Sequence, residues 1–385
     1  METEMVVKIA DSVLSPLGLG TGVNYKAVKE GRTSLRKYEN KWGLAEPFAA
    51  SFLDKDMFAA LCQEAGVSEG YTYFEQMAIV VAANALKQVE VDVKNKETLF
   101  ILASTKGNVH LLSDKGANYD SGFLSLSAAA SRIAKWFGNN RPPLVVSNAC
   151  ISGLHAQMEA MRVLHAYKAK TVVVIAADML SPFIVSGFQS FRSVSDEPCR
   201  PFDEERIGLN LGEASACAVY QLKPDHELNT SDWIARTGAV YNDAFHISHP
   251  SKTAEGSWRA LDRVTQGLSA SSSTMVNVHG TATMYNDEME AVALARAGFA
   301  EVPINSLKGY FGHTLGAAGL LETLITMASL DDYTILGTKG FSSLGVSRKI
   351  NIQAENQTAR GKRFIKLISG FGGCNAAMRF ETIEG

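Results

Sequence analysis

Apolar runs that never alternate with polar residues set the strongest limit on what this chain can fold into. Leu99-Phe100-Ile101-Leu102-Ala103 and Val172-Val173-Val174-Ile175-Ala176-Ala177 are apolar at every position. A strand with one wet face alternates, whereas a strand covered on both faces reads as a continuous run. Longer helical stretches separate these runs, and that alternation predicts an α/β fold with mostly buried strands. In the stretch after Cys150, residues Leu154, Met158, Met161 and His165 recur at helical spacing. The stripe reads as a core-facing side, with His155 and His165 as helix residues without chemistry. The later half repeats the scheme. Met275-Val276-Asn277-Val278 and Val302-Pro303-Ile304-Asn305-Ser306 each lead into a glycine-containing turn, and a helix over 317–330 follows. The repetition predicts an internal duplication. A length of 385 residues allows two or three domains. No Pro/Gly/Ser-rich linker separates the halves, and the serine run over 269–274 reads as a short loop before a strand. One body made of two similar halves is therefore expected.

Charge and cysteine usage exclude several classes of function. With 37 basic against 40 acidic residues, nothing marks a nucleic-acid binder. The start Met1-Glu2-Thr3-Glu4 lacks the basic opening and apolar core of a secretory signal, and no run approaches the ~18 apolar residues of a membrane span. A soluble cytoplasmic protein is expected. The five cysteines, Cys62, Cys150, Cys199, Cys217 and Cys374, form no C-x-x-C pair, which argues for reduced thiols and against a disulfide scaffold or zinc site.

Cys150 stands apart from the other four. An apolar run from Pro142 to Ala149 leads into it, and Ile151-Ser152-Gly153 leads away as the start of a helix. Free N–H groups and the dipole at a helix N-terminus favour an anion, so a thiol there is expected to ionise near neutral pH, and the same N–H groups suit an oxyanion. His279 and His313 each lie beside glycine in a turn, where the backbone bends tightly and a ligand comes close. One such residue alone reads as structural; a helix-capping cysteine with two loop histidines reads as a nucleophilic site. His246 and His249 form an H-x-x-H, but no third ligand accompanies them, and a pocket wall is the better reading than a metal site.

Five motifs carry a resemblance. They are Ala149-Cys150-Ile151-Ser152-Gly153; Pro201-Phe202-Asp203-Glu204-Glu205-Arg206 with Gly212-Glu213; His279-Gly280-Thr281-Ala282-Thr283 with Asp287 and Glu290; Lys308 with Gly312-His313 and Gly316-Ala317-Ala318-Gly319; and Gly370-Phe371-Gly372-Gly373. In this order the chain resembles the β-ketoacyl-acyl-carrier-protein synthases, condensing enzymes of fatty-acid and type II polyketide synthesis. The resemblance implies a thiolase-like fold of two duplicated halves in five αβαβα layers. Residues 1–235 would carry the nucleophile and 236–385 both histidines. It also implies a Cys-His-His set, Cys150, His279 and His313, performing decarboxylative Claisen condensation of an acyl group on Cys150 with malonyl-carrier protein. Cys150 and Phe371 would supply the oxyanion N–H groups, with Gly370 and Gly372 in support. Phe371 would act as a gate, Thr281 and Thr283 would touch substrate, and no cofactor or metal is required.

Lys308 and Glu322 would pair beside the site, either to orient a histidine or as an ordinary structural ion pair. Asp287 and Glu290 read as structural carboxylates, Glu213 as the holder of a turn, and Phe188, Phe191 and Phe202 as pocket or core aromatics. An acyl-carrier protein is the implied partner, with Arg132, Lys135 and Arg206 as candidates for its docking patch, and a homodimer or a heterodimer with a paralogue is expected. The region between Lys106 and Arg141 is shorter than in chain-elongating members, Ser369 replaces a frequent phenylalanine, and Gly212 to Ala216 is less glycine-rich, which points to a divergent member of a specialised pathway. A non-catalytic chain-length subunit would normally lose the cysteine. A degradative thiolase would need a second cysteine in a C-x-G context, which Cys374-Asn375-Ala376 lacks, and His313 disfavours the Cys-His-Asn initiating synthases.

Overall fold

In the computed structural model, residues 4–113, 121–247 and 250–383 are described. The apolar runs become strands of one eleven-stranded sheet, ten on one continuous path and the short Gly18–Leu19 paired off it to Glu4–Ser15. One set of strands runs Leu144–Val146, Thr98–Ala103, Thr171–Asp178, Ala214–Pro224, Glu4–Ser15 across the sheet; the other runs Ile304–Asn305, Met275–Asn277, Arg363–Gly370, Cys374–Glu381, Trp233–Asn242. Counted along the chain within each set, both orders are third, second, fourth, fifth, first. The first three strands of each order pair in parallel and the last two join antiparallel. The two sets meet where Val7 pairs with Ile234 and Lys8 with Trp233.

Strand Thr171–Asp178 shows why its run does not alternate. Val172, Val174 and Ala176 join a core with the helices Ser152–His165 and Ala318–Asp331, while Val173, Ile175 and Ala177 face the helices Tyr73–Leu86 and Leu126–Trp136. In the second set Val276, Ile365 and Leu367 face Glu255–Thr265 and Met284–Arg296. Helix, sheet, central helices, sheet, helix is the expected αβαβα order. The helix Tyr73–Leu86 starts at a capping box between Thr72 and Glu75.

The two central helices cross backbone to backbone. A Cβ on Gly153 would fall 2.6 Å from the Gly316 carbonyl oxygen, and one on Gly319 would fall 2.5 Å from the Leu154 nitrogen. Only glycine permits that approach. Cys150 precedes one central helix and His313 precedes the other, so the crossing brings residues 163 positions apart to one point.

Candidate active site

Ala149 turns the chain sharply out of strand Leu144–Val146, with a left-handed φ of 45°. Such a conformation costs a non-glycine residue about 1 kcal/mol and persists only where its surroundings enforce it. Ser152 does so: its Oγ donates to the Ala149 carbonyl at 2.6 Å and accepts the Asn148 N–H at 2.8 Å. Beyond this elbow, Cys150 lines a cavity of about 250 Å³ together with His279, His313, Thr281, Thr283 and Phe371. Its Sγ lies 3.0 Å from His313 Nε2. The two imidazoles meet edge to face, ring centres 4.8 Å apart.

Each histidine is held through its backbone. The His313 N–H donates to the Asn210 carbonyl at 2.6 Å, and its carbonyl accepts the Gly212 N–H at 3.0 Å. Three residues on, the Gly316 N–H donates to Asp178 Oδ2 at 2.7 Å. Asp178, wholly buried, also accepts from Ser104, Thr105 and Lys106 Nζ, the last at 2.9 Å. The His279 and Gly280 N–H groups both donate to Glu290 at 2.7 Å, and the Thr281 N–H donates to Asp287 at 3.0 Å. Burial raises Asp287 to about 6 and Glu290 to about 7. Glu213 accepts the N–H groups of Leu53 and Leu180, tying two separate segments together.

Burial, and then Lys308, keep both imidazoles well below the ordinary histidine pKa, so each ring is neutral at pH 7. Lys308 does pair with Glu322, but sequence reasoning missed the other half of this cluster. Lys366 donates to the second Glu322 oxygen at 2.6 Å and to the Val278 carbonyl at 3.2 Å. Its signal was a lysine inside the otherwise apolar Phe364-Ile365-Lys366-Leu367-Ile368. Lys106 and Asp178 were missed as well; an acid closing the apolar strand Thr171–Asp178 was the available clue.

Several expectations need correction. The Cys150 thiol does not ionise near neutrality in the resting site. Burial, then the neighbouring Cys374 sulfur, push it up to about 12, against the smaller downward pull of Lys308 and the Phe371 N–H. In a residue only 6% exposed, loss of water around the sulfur outweighs the pull of the helix dipole. Phe202, readable as pocket or core, is a core residue. Its left-handed φ of 64° turns the ring into the core beside Val276 and Ile365. Arg206 is no docking cation, being buried and donating to the Asp203 and Gly345 carbonyls. Arg132 is engaged with Glu75 at 2.9 Å and with the Gly70 carbonyl, while Lys135 is exposed. His155 is bonded to Asn148 and Glu159. His246 lines the cavity; His249 lies outside the described residues.

Phe371 stacks on Phe188 at 5.4 Å and meets Phe191 edge-on at 5.3 Å, both at the cavity wall. Gly370 passes so close to the elbow that a Cβ there would lie 3.1 Å from the Cys150 nitrogen, and Gly372, at φ 85°, donates its N–H to the Ile247 carbonyl. Thr281 and Thr283 join hydroxyls at 2.9 Å on the cavity side of helix Met284–Arg296.

The resting thiol gives a direct test. Thiolate concentration rises tenfold per pH unit below the pKa, so iodoacetamide labelling of Cys150 is expected to keep accelerating from pH 7 to 9. A rate that levels off by pH 8 would show a thiol already ionised.

Among the described residues no helix is long and apolar enough to cross a membrane. The family model for the beta-ketoacyl synthase N-terminal domain matches residues 3–227, and that for the C-terminal domain matches 233–342. The 3-oxoacyl-acyl-carrier-protein synthase 2 of Vibrio harveyi is 26% identical over 424 residues, covering 100% of each chain. The ketosynthase ApeO, solved with its chain length factor ApeC from Xenorhabdus doucetiae, superposes with a TM-score of 0.84 at 20% identity over 98% of each chain. A type II polyketide acyl-carrier protein complex with its ketosynthase, AntDE:AntF, gives 0.81 at 19% identity, over 99% of this chain and 100% of that one. Two family models that together run through most of the sequence, on a shared thiolase-like fold, place this chain in the β-ketoacyl synthase family.

Proposed function

We propose that this chain is a condensing acyltransferase that extends an acyl group on Cys150 by decarboxylative Claisen condensation with malonyl-acyl-carrier protein. The observation that carries the reading is the set of Cys150, His279 and His313 side chains, whose donor atoms lie within 4.8 Å of one another beside an open cavity. In the first half-reaction Sγ attacks the carrier-bound thioester carbonyl. The thiol proton passes to His313 Nε2 and on to the sulfur of the departing carrier arm, leaving an acyl-Cys150 thioester. The oxyanion formed on the way is held by the N–H groups of Cys150 and Phe371.

In the second half-reaction the malonyl thioester carbonyl accepts hydrogen bonds from both imidazoles. The bond to the carboxylate breaks, its electron pair moves into the enolate, and carbon dioxide leaves. The enolate carbon then attacks acyl-Cys150, the C–S bond breaks, and the released thiolate takes up a proton from solvent, the original thiol proton having left on the first carrier arm. Neutral rings suit this role because each keeps one N–H donor; the His313 proton lies on Nδ1 while Nε2 accepts the thiol proton, and shifts to Nε2 through solvent once the sulfur is acylated. Phe371, packed between Phe188 and Phe191, gates the path from cavity to sulfur, while Thr281 and Thr283 face the incoming arm. We place the boundary between the two halves between Pro224 and Trp233, slightly before the 1–235/236–385 division, because strand Trp233–Asn242 pairs along its length with Cys374–Glu381.

An acyl-carrier protein as partner, a dimer with a copy or a paralogue, and a cytoplasmic setting belong to this reading; the complexes of the structural relatives support a carrier protein and a paralogue as partners. The test is mass spectrometry after incubation with acyl- and malonyl-loaded carrier protein. Acyl transfer to Cys150 followed by a 3-keto product two carbons longer is expected. Wild-type protein that takes up no acyl group would instead support the chain-length partner subunit.

A further inference from the structure

Lys366 is wholly buried on strand Arg363–Gly370, between the core residues Ile365 and Leu367. Burying an ammonium is costly, and an ion pair that only had to be satisfied would stop at one lysine. Glu322 already has Lys308 on its other oxygen. The Lys366 ammonium bridges that carboxylate and the carbonyl of Val278, the residue preceding His279. Two cations on the one Glu322 carboxylate leave a surplus positive charge that the facing Glu290, raised to about 7, offsets only in part at pH 7, and Lys308 and Lys366 both act to depress the basicity of His279 and of His313.

We propose that Lys366 is a positioning residue of the condensation site: it anchors the backbone that presents His279, and with Lys308 it maintains an unbalanced positive charge beneath the two imidazoles, where the enolate forms. The proposal rests on the condensing-enzyme reading. The charged and titratable groups facing Lys366 are Glu322 from helix Ala318–Asp331, Lys308 from helix Lys308–Phe311, Glu290 from helix Met284–Arg296, and the two histidines from their turns. Its neighbours in register on the adjoining strands, Asn277 and Met378, carry no charge. Burial, with repulsion from Lys308, outweighs the pull of Glu322 and brings the ammonium down to about 8. The charge is therefore present at pH 7 and lost as pH rises through 8. The thiols of Cys150 and Cys374, at about 12 and 11, titrate above that range, and Glu290, at about 7, titrates below it as a separate acid limb.

The test is malonyl-carrier decarboxylation from pH 6.5 to 9.5 by wild type, Lys366→Met and Lys366→Arg. Wild type is expected to lose kcat as pH passes 8. Lys366→Met should run about 10- to 100-fold slower at pH 7, with KM little changed and no alkaline limb. Lys366→Arg, which keeps its proton throughout this range, should retain much of the rate and lose the limb at 8. Either variant keeping the wild-type limb, or Lys366→Met keeping the wild-type rate, overturns the proposal. Should Lys366→Met fail to fold, the limb in Lys366→Arg decides alone. Wild type that neither acylates Cys150 nor releases carbon dioxide would sink the condensing reading and this proposal together; active wild type with indifferent variants sinks this proposal only.

Discussion

Cys150→Ala is expected to abolish acyl uptake and to lower condensation by at least about 10⁴-fold, as removal of a covalent nucleophile does elsewhere. No second sulfur is placed to substitute. Cys374 lies close by, but its Sγ rests against the carbonyl oxygens of Asn148 at 3.8 Å and Phe371 at 3.3 Å, and burial holds its thiol up at about 11. The exchange removes a single buried sulfur and costs about 1 kcal/mol of stability, so the fold should survive. The two half-reactions then separate. Acylation needs the sulfur, whereas carbon dioxide release needs only the imidazoles and the cluster behind them. Intact-protein mass spectrometry and carbon dioxide release on the same sample check both. An acyl adduct on the alanine variant, or loss of decarboxylation equal to the loss of condensation, would show that Cys150 does not act as described.

Cys150, His279 and His313 were legible because a chain that must present a reactive side chain to a cavity does so from a turn at a strand end, marked by glycine beside the two histidines and by the change from apolar run to helix at the cysteine. The αβαβα layering was legible for a related reason: runs such as Val172 to Ala177 need cover on both faces. The strand order could not be read, since the joining of the two sets through Val7–Ile234 depends on pairing between residues more than two hundred positions apart. Side chains whose setting is created only by folding were also misread. Arg206 sits in a polar-looking stretch, yet it is buried against the Asp203 and Gly345 carbonyls, and the same stretch left Phe202 readable as either pocket or core. Lys366 was passed over because its partners, Glu322 and the Val278 carbonyl, come from two other elements. The Cys150 thiol was judged by the helix beside it, although burial is the larger effect.

His279→Ala and His313→Ala are each expected to cut malonyl decarboxylation about 10²- to 10³-fold, the usual loss when one donor to a developing oxyanion is removed. Acyl transfer should tell the two apart. His313 Nε2 lies 3.0 Å from Sγ and carries the thiol proton, so His313→Ala should also slow acylation of Cys150, while His279→Ala should leave acylation close to wild type. The double variant should lose less than the product of the single losses, because both donors serve one oxygen. An asparagine in place of either histidine keeps a neutral N–H donor and should recover part of the decarboxylation rate, but at 313 it cannot relay a proton and should not recover acylation. Since burial and Lys308 already keep both rings neutral, protonation of an ordinary histidine near pH 6.5 should leave no imprint on the wild-type decarboxylation profile. Any acid limb near pH 7 should instead follow Glu290, raised to about 7, whose carboxylate holds the N–H groups of His279 and Gly280. A Glu290→Gln variant that keeps such a limb would return the titration to the histidines and remove the basis for treating them as neutral donors.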